Sequence, residues 1–324
     1  MPLPHFQFPV YPLRVSLSVV IITYNEEASI GRTLASVMPL VRDGKGEIIV
    51  VDSGSTDRTV EIAESFGARV FVEEWKGYAA QKNSAIEKAS GDWILSLDAD
   101  EELDPDLQQA LHDTVDGLQH TAALQESPGT HPFTMRDAQA DVEYHTGTKL
   151  DGGFAGLWIP RKNLFLGRWI RHGGYWPDPK LRFFRRGVAG FEDRPVHEDV
   201  KVEGRTNQIR YGAILHHAYP TLSDYLDHMN RYSSLGAEMI AGKEKPHPVA
   251  ENATRVGHPG IGFSVINIVL RPLATFIYNY FFRLGFLDGR EGLLLHLYHA
   301  VYVSWKYAKA WELQRKAGPS QRSG

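Results

Sequence analysis

Residues 17–57, LSVVIITYNEEASIGRTLASVMPLVRDGKGEIIVVDSGSTD, decide the fold. Leu17 to Thr23 is an apolar, β-branched run with no alternation, the pattern of a strand buried on both faces. Glu26 to Val41 then carries Ile30, Leu34, Val37 and Val41 at helical spacing. Glu47 to Val51 is a second buried strand, and Asp57 opens a helix that closes at Gly67. The alternation continues outward: Arg69 to Val72 as a strand, Tyr78 to Ala89 as a helix, Trp93 to Leu97 as a fourth strand. Strands alternating with helices through short links predict βαβ units and an α/β fold, a mostly parallel sheet flanked by helices.

Ligands of such sheets gather at the carboxyl ends of the strands. Three strands end there in polar residues: Thr23-Tyr24-Asn25-Glu26, Asp52-Ser53-Gly54-Ser55 and Asp98-Ala99-Asp100. These read as three walls of one site. Asp98 and Asp100, at i and i+2 where a strand opens into a loop, can both face a hard cation such as Mg²⁺ or Mn²⁺. Leu103 stands where an EF-hand loop needs its glycine, and the first strand is followed by no GxGxxG. The acidic run Glu101, Glu102 and Asp104 also suits a helix N-terminus.

The chain has 324 residues, 43% hydrophobic and 23% charged, enough to bury a sizeable core. Its lack of cysteine excludes disulfides, zinc-thiolate sites and a thiol nucleophile. Residues 1–115 hold 9 Lys+Arg against 19 Asp+Glu, and the rest holds 26 against 20, beneath a net charge of -4. Between Arg161 and Arg186 stand eight basic residues and one acid, Asp178. An acidic front and a basic, aromatic-rich back suggest metal binding in the first and anionic partners for the second. The opening residues lack the basic end and apolar run of a secretory signal, so a cytoplasmic setting is expected.

From Leu118 to Gly153 the pattern fades into a loop or insertion; after Pro220 it turns helical over Leu222–Ile240, Phe263–Leu284 and Gly289 to about Leu313. Ile261 to Phe282 is strongly apolar, yet Arg271, Pro272, Asn267 and Asn279 leave its uncharged runs too short for a bilayer span of about 20 residues. A buried core helix and an interfacial helix among Arg271, Arg283, Lys306 and Lys309 both remain open.

Four linked segments now carry a resemblance: Ser18 to Glu26, Val50 to Asp57, Gly77 to Asn83, and Ala89-Ser90-Gly91-Asp92-Trp93 leading into Asp98-Ala99-Asp100. In order and spacing they resemble glycosyltransferase family 2, enzymes of the Rossmann-like GT-A fold that use nucleotide-sugar donors. The resemblance implies that Thr23, Tyr24, Asn25 and Glu26 line the nucleotide pocket and that Asp52 contacts base or ribose beside the turn of Ser53 and Gly54. Lys82 would lie near the diphosphate or sugar, Asp98 would meet ribose or donor sugar, and Asp100 would ligate the cation. Further segments, Asn163–Arg168, Arg171–Asp178, Lys180–Phe184, Val196-His197-Glu198, His216–Tyr219, Asn230–Tyr232 and Gly285–Gly289, are similar to lipopolysaccharide core β-glucosyltransferases of the WaaE type.

That likeness implies Glu198 as general base, accepting the proton of the acceptor hydroxyl. His197 could orient it, touch the diphosphate or join the metal shell, with His216 a weaker metal candidate. Trp176, Asp178 and Arg182 suit the acceptor, a ring face beside polar groups. The implied organisation is a tail (1–15), a nucleotide-sugar half (16–117), the insertion (118–153), an acceptor and catalytic half (154–220), a helical, membrane-associated region (221–317) and a tail (318–324). The implied partners are a UDP-sugar, a divalent cation, a lipid-linked saccharide and an anionic membrane surface, on the cytoplasmic face of an inner membrane; no nucleic acid is expected. A nucleotidyltransferase would need a glycine-rich basic loop after the first strand, and a non-catalytic binding protein would have no need of Asp100 and Glu198.

Overall fold

In β1 (Leu17–Thr23) all seven residues are buried, and successive side chains go to opposite faces. Leu17, Val19 and Ile21 share a core with Ile30, Leu34 and Val37 of α1 (Ile30–Val41), whereas Val20 and Ile22 pack with Ala79 and Ala85 on the other side. The chain is described here by a computed structural model over residues 16–126, 154–192, 200–241 and 264–316. β2 (Gly46–Asp52) lies parallel on one side of β1, followed by α2 (Thr59–Ser65) and by β3 (Arg69–Val72), which pairs outside β2. α3 (Tyr78–Lys88) covers the second face, and β4 (Trp93–Asp98) lies parallel on the other side of β1.

After β4 come a short strand β5 (Glu101–Leu103) and α4 (Pro105–Glu126). Then follow β6 (Phe154–Phe165), β7 (Arg168–Trp169), β8 (Pro179–Arg185), β9 (Ala189–Phe191), β10 (Val200–Val202), β11 (Arg205–Gln208) and β12 (Ile214–Tyr219). β8 pairs antiparallel with β4 and with β6, so the sheet runs β3-β2-β1-β4-β8-β6 and on through β12 to β5. The parallel half thus acquires an antiparallel extension, and Trp93 of β4 stacks on Phe183 of β8 at 5.0 Å.

The chain divides into two compact units. One comprises the residues up to Arg161 and Asp178–His216; the other comprises Lys162–Pro177 and the chain from His217 onward. In the second, α5 (Leu222–Ile240) starts at a capping box between Thr221 and Asp224 and packs on α7 (Gly289–Lys316). Between them in sequence, α6 (Arg271–Ile277) is flanked by π-helical turns, Ile266–Leu270 and Tyr278–Phe282. Phe165, Ile170, Tyr225 and Leu295 form this unit's core.

Several boundaries differ from the sequence reading. α1 starts at Ile30, not Glu26, because Asn25 takes a left-handed conformation (φ 54) and the N–H groups of Glu26 and Glu27 donate to Thr59 Oγ1 and Asp57 Oδ2. Those side chains replace a helical first turn. Glu101 and Glu102 form a strand against β12, and the helix after them begins only at Pro105, where Asp104 Oδ1 accepts from the Leu107 N–H at 2.9 Å. Residues 118–126 continue α4 instead of entering a loop, since Leu, Ala, Gln and Glu are strong helix formers and the first breaker comes at Pro128. Residues 162–177 belong with the helical unit, so the acceptor half expected over 154–220 is split.

Phe183 is fully buried against Trp93 where the antiparallel extension meets the parallel half. Phe183→Ala should lower the unfolding free energy by about 3–5 kcal/mol, read from the midpoint of a urea transition. A shift below about 1 kcal/mol would mean that this seam does not hold the sheet together.

Candidate active site

The register puts the three polar strand ends on one edge: Thr23 is level with Asp52, and Ile22 with Asp98. Asp52 is fully buried, and its carboxylate organises the turn that follows it. Oδ1 accepts from the N–H groups of Gly54 (2.9 Å) and Ser55 (2.7 Å), and Oδ2 accepts from the Ser55 hydroxyl. Gly54 has φ 90, a conformation that costs glycine nothing. The Asn25 N–H donates to Ser55 Oγ, and the Thr56 N–H to Asn25 Oδ1, both at 2.8 Å. Two of the three walls are therefore one hydrogen-bonded unit, and Tyr24, next to Asn25 in the chain, is 57% exposed. Thr23 Oγ1 and Ser53 Oγ are buried without a partner among the described residues.

The third wall is a chain of charges. Asp98 Oδ1 is 2.9 Å from Lys82 Nζ, and its Oδ2 accepts from Arg182 at 2.7 Å. The same Arg182 nitrogen reaches Glu101 Oε1 at 2.7 Å, and Arg161 reaches that oxygen at 3.1 Å. Arg161 continues to Asp178 at 2.8 Å, which Lys180 also meets at 3.2 Å. Glu101 Oε2 accepts from the Asp98 N–H at 3.0 Å, which fixes the turn itself. Lys82, Glu101 and Arg182 are buried, so each charge depends on its partners. Burial pushes the Asp98 carboxyl up, but Arg182 and Lys82 outweigh it and hold the group well below the usual carboxylate range. Burial also opposes the Arg182 charge, which Asp98 and Glu101 restore.

Asp100 lies outside this chain of cations. Its Oδ2 is 3.4 Å from His216 Nε2 on β12, and burial, which raises its carboxyl, is overcome chiefly by His216. Glu26 is affected in the opposite sense: burial, then the charge of Asp100, push it from 4.5 up to about 7. One carboxylate, Asp98, is thus saturated by cations, another, Asp100, is matched to an imidazole, and a third, Glu26, is held near neutrality. Among the described residues no cluster of three or more His, Asp or Glu could hold a metal by itself. Asp100 and His216 are the described residues that could hold a divalent cation, and one carboxylate with one imidazole suits a borderline ion better than the all-oxygen shell of Mg²⁺.

The structure therefore brings together Lys82, Asp98, Asp178 and Arg182 of the expected site, and ties Asn25 to Ser55 beside the Asp52-Ser53-Gly54 turn and Glu26 to Thr59 at the start of α2. Trp176 falls in the helical unit, edge-on to Trp169 at 5.0 Å, with Arg171 stacked 4.1 Å from that same Trp169 ring. His197 and Glu198 lie outside the described residues. Sequence reasoning missed Glu101 and Arg161. Their signal is an acid three residues after Asp98 and two arginines on paired strands, Arg161 on β6 and Arg182 on β8, legible only once β6 and β8 are known to be neighbours.

The fold and this corner define a class. The model of glycosyl transferase family 2 matches residues 18–187, and the chain belongs to that family, with the mostly parallel sheet and flanking helices of a GT-A enzyme. It is similar over almost its whole length to the lipopolysaccharide core biosynthesis glycosyltransferase LpsC of Rhizobium meliloti: 29% identity over 311 residues, 92% of this chain and 93% of that protein. A segment of 95 residues is 50% identical to an uncharacterized glycosyltransferase of Rickettsia felis, covering 29% of this chain and 32% of the relative. Among solved structures, glucosyl-3-phosphoglycerate synthase from Mycobacterium tuberculosis, in complex with Mn²⁺, uridine-diphosphate and glucosyl-3-phosphoglycerate, is 33% identical over 32% of this chain and 39% of its own, with a TM-score of 0.27.

The Glu26 shift has a testable sign. A carboxyl raised from 4.5 to about 7 binds more protons folded than unfolded between those values, so the ligand-free fold loses stability as pH rises through that window. Asp100→Asn removes the second-largest cause and leaves burial, so the Glu26 midpoint should fall but stay above 4.5. Carboxyl-carbon NMR titration checks this; an unmoved midpoint would separate Glu26 from Asp100.

Proposed function

We propose that the chain transfers a hexose, glucose from UDP-glucose, with inversion at the anomeric carbon, onto a lipid-linked saccharide of the lipopolysaccharide-core kind. Membership of family 2 supports group transfer from a nucleotide sugar, and likeness to LpsC over 92% of the chain supports the acceptor class. The observation that carries the reading is the Asp100–His216 pair beside a cation-saturated Asp98 at the carboxyl end of a parallel sheet. The enzyme would work at the cytoplasmic face of a bacterial inner membrane.

Asp100 and His216 would hold a divalent cation, which neutralises charge gathering on the diphosphate as it leaves. The Asn25–Ser55–Asp52 unit and Tyr24 would receive the nucleoside; Thr23 Oγ1 and Ser53 Oγ, buried without partners among the described residues, are hydroxyls in reserve at that wall. Asp98 keeps lone pairs for a ribose or sugar hydroxyl, because each of its oxygens accepts more than one bond. Lys82, paired with Asp98, would place a compact positive charge beside the diphosphate. In the transfer the acceptor oxygen bonds to the anomeric carbon as that carbon's bond to the phosphate oxygen breaks. UDP departs with the electron pair, and Glu198 takes the hydroxyl proton with His197 positioning it. Arg182 and Asp178 would serve the acceptor.

Incubation with a panel of nucleotide sugars tests the reading: UDP-glucose should release UDP fastest, and turnover of none of them would remove it. Asp100→Ala should abolish transfer with the fold intact, and EDTA should do the same to the wild type. Full activity in either condition overturns the cation assignment. Glu198→Gln keeps shape but not basicity, so kcat should fall by about 10²–10⁴-fold with donor binding unchanged. Wild-type turnover in that variant moves the base elsewhere.

A further inference from the structure

The apolar stretch of the helical unit is not a core helix. Ile266, Leu270, Leu273, Ile277 and Phe281 recur at i, i+4, i+7, i+11 and i+15, which aligns them on one helix face, and each is exposed. Phe282, beside them, is 75% exposed. The turn that follows adds Phe286 and Leu287, also exposed. Large apolar side chains exposed together along one segment mark an interaction site.

Its charges select the occupant. From Ser264 to Arg290 the charged residues are Arg271, Arg283, Asp288 and Arg290. Asp288 is buried, accepting from the backbone N–H of His172 at 2.8 Å and meeting its Nδ1 at 3.0 Å, whereas the three arginines are exposed. An anionic surface meets apolar and basic residues together. No helix among the described residues is long and apolar enough to cross a membrane, so this segment suits lying in the interface plane.

We infer that the exposed face from Ile266 to Leu287 docks on an anionic phospholipid bilayer, inserting Phe281 and Phe282 among the acyl chains with Arg271, Arg283 and Arg290 at headgroup level. The inference rests on the transferase reading only for why a bilayer is there to be met: a lipid-linked acceptor is presented at one. Sedimentation of the full-length protein with phosphatidylglycerol–phosphatidylcholine vesicles tests it. The wild type should pellet, raised salt should weaken binding without abolishing it, and Phe281→Asp with Phe282→Asp should lower partitioning at least about tenfold.

Because the chain has no cysteine, Leu273→Cys can be labelled uniquely with a polarity-sensitive dye, a milder change that reports the same face. Its emission should shift to the blue when vesicles are added. A wild type left in the supernatant, a double variant that pellets equally, a dye that does not shift, or a lipid-free dimer that the double variant splits would each overturn the inference. Release of UDP from UDP-glucose in water, measured on the same samples, separates the two readings. Pelleting and the blue shift without hydrolysis would uphold the membrane face and sink the transferase reading; hydrolysis without either sinks only the membrane face.

Discussion

The guanidinium of Arg182, buried between Asp98 and Glu101, is the contact on which the rest of the site depends. An unpaired charge there would be prohibitive, and even a paired one must recover several kcal/mol of lost hydration. Removing one partner of such a pair costs about 3–5 kcal/mol because the survivor is stranded. The arrangement also explains the topology around it. β4 ends in a carboxylate pointing at β8, and antiparallel pairing of β8 delivers Arg182 to it. β6, on the other side of β8, delivers Arg161 to Glu101. The antiparallel extension is thus what allows a parallel sheet to end in closely spaced acids.

That constraint separates two aspartates that look equivalent in sequence. Asp98 has one cation on each oxygen, whereas Asp100, two residues on, faces an imidazole. Glu26 feels Asp100 and burial and stays near neutrality. Two ionised carboxylates with different partners and a third that titrates near neutrality could divide the tasks proposed above: holding sugar hydroxyls, ligating a cation and responding to its arrival. The division requires no unusual residue, only different partners.

Much of this was legible in the sequence. Short, uninterrupted, β-branched runs bounded by turn residues read as strands covered on both faces, so LSVVIIT, EIIVV and WILSL announced the parallel sheet. Asp98 and Asp100 stood out by their place at the end of β4. What escaped depends on distance in the chain. Glu101 reads as a helix-start acid until β12 pairs with it, and Arg161 and Arg182 are anonymous members of a basic run until β6 and β8 are set side by side. Asp52 reads in sequence as a ligand contact, and its second task, holding its own turn, shows only in the geometry. The apolar stretch ending at Phe282 is compatible in sequence with core and interface alike, because periodicity alone does not say what covers a face.

The central claim is that this corner binds a nucleoside diphosphate together with a divalent cation. Titration calorimetry of UDP into the full-length protein, with Mn²⁺ and again with EDTA, addresses it most directly. Saturable binding is expected with Mn²⁺, at least about tenfold weaker binding in EDTA, and weaker binding of ADP or GDP than of UDP. UDP binding of equal strength with and without the cation, or no binding in either buffer, would contradict it.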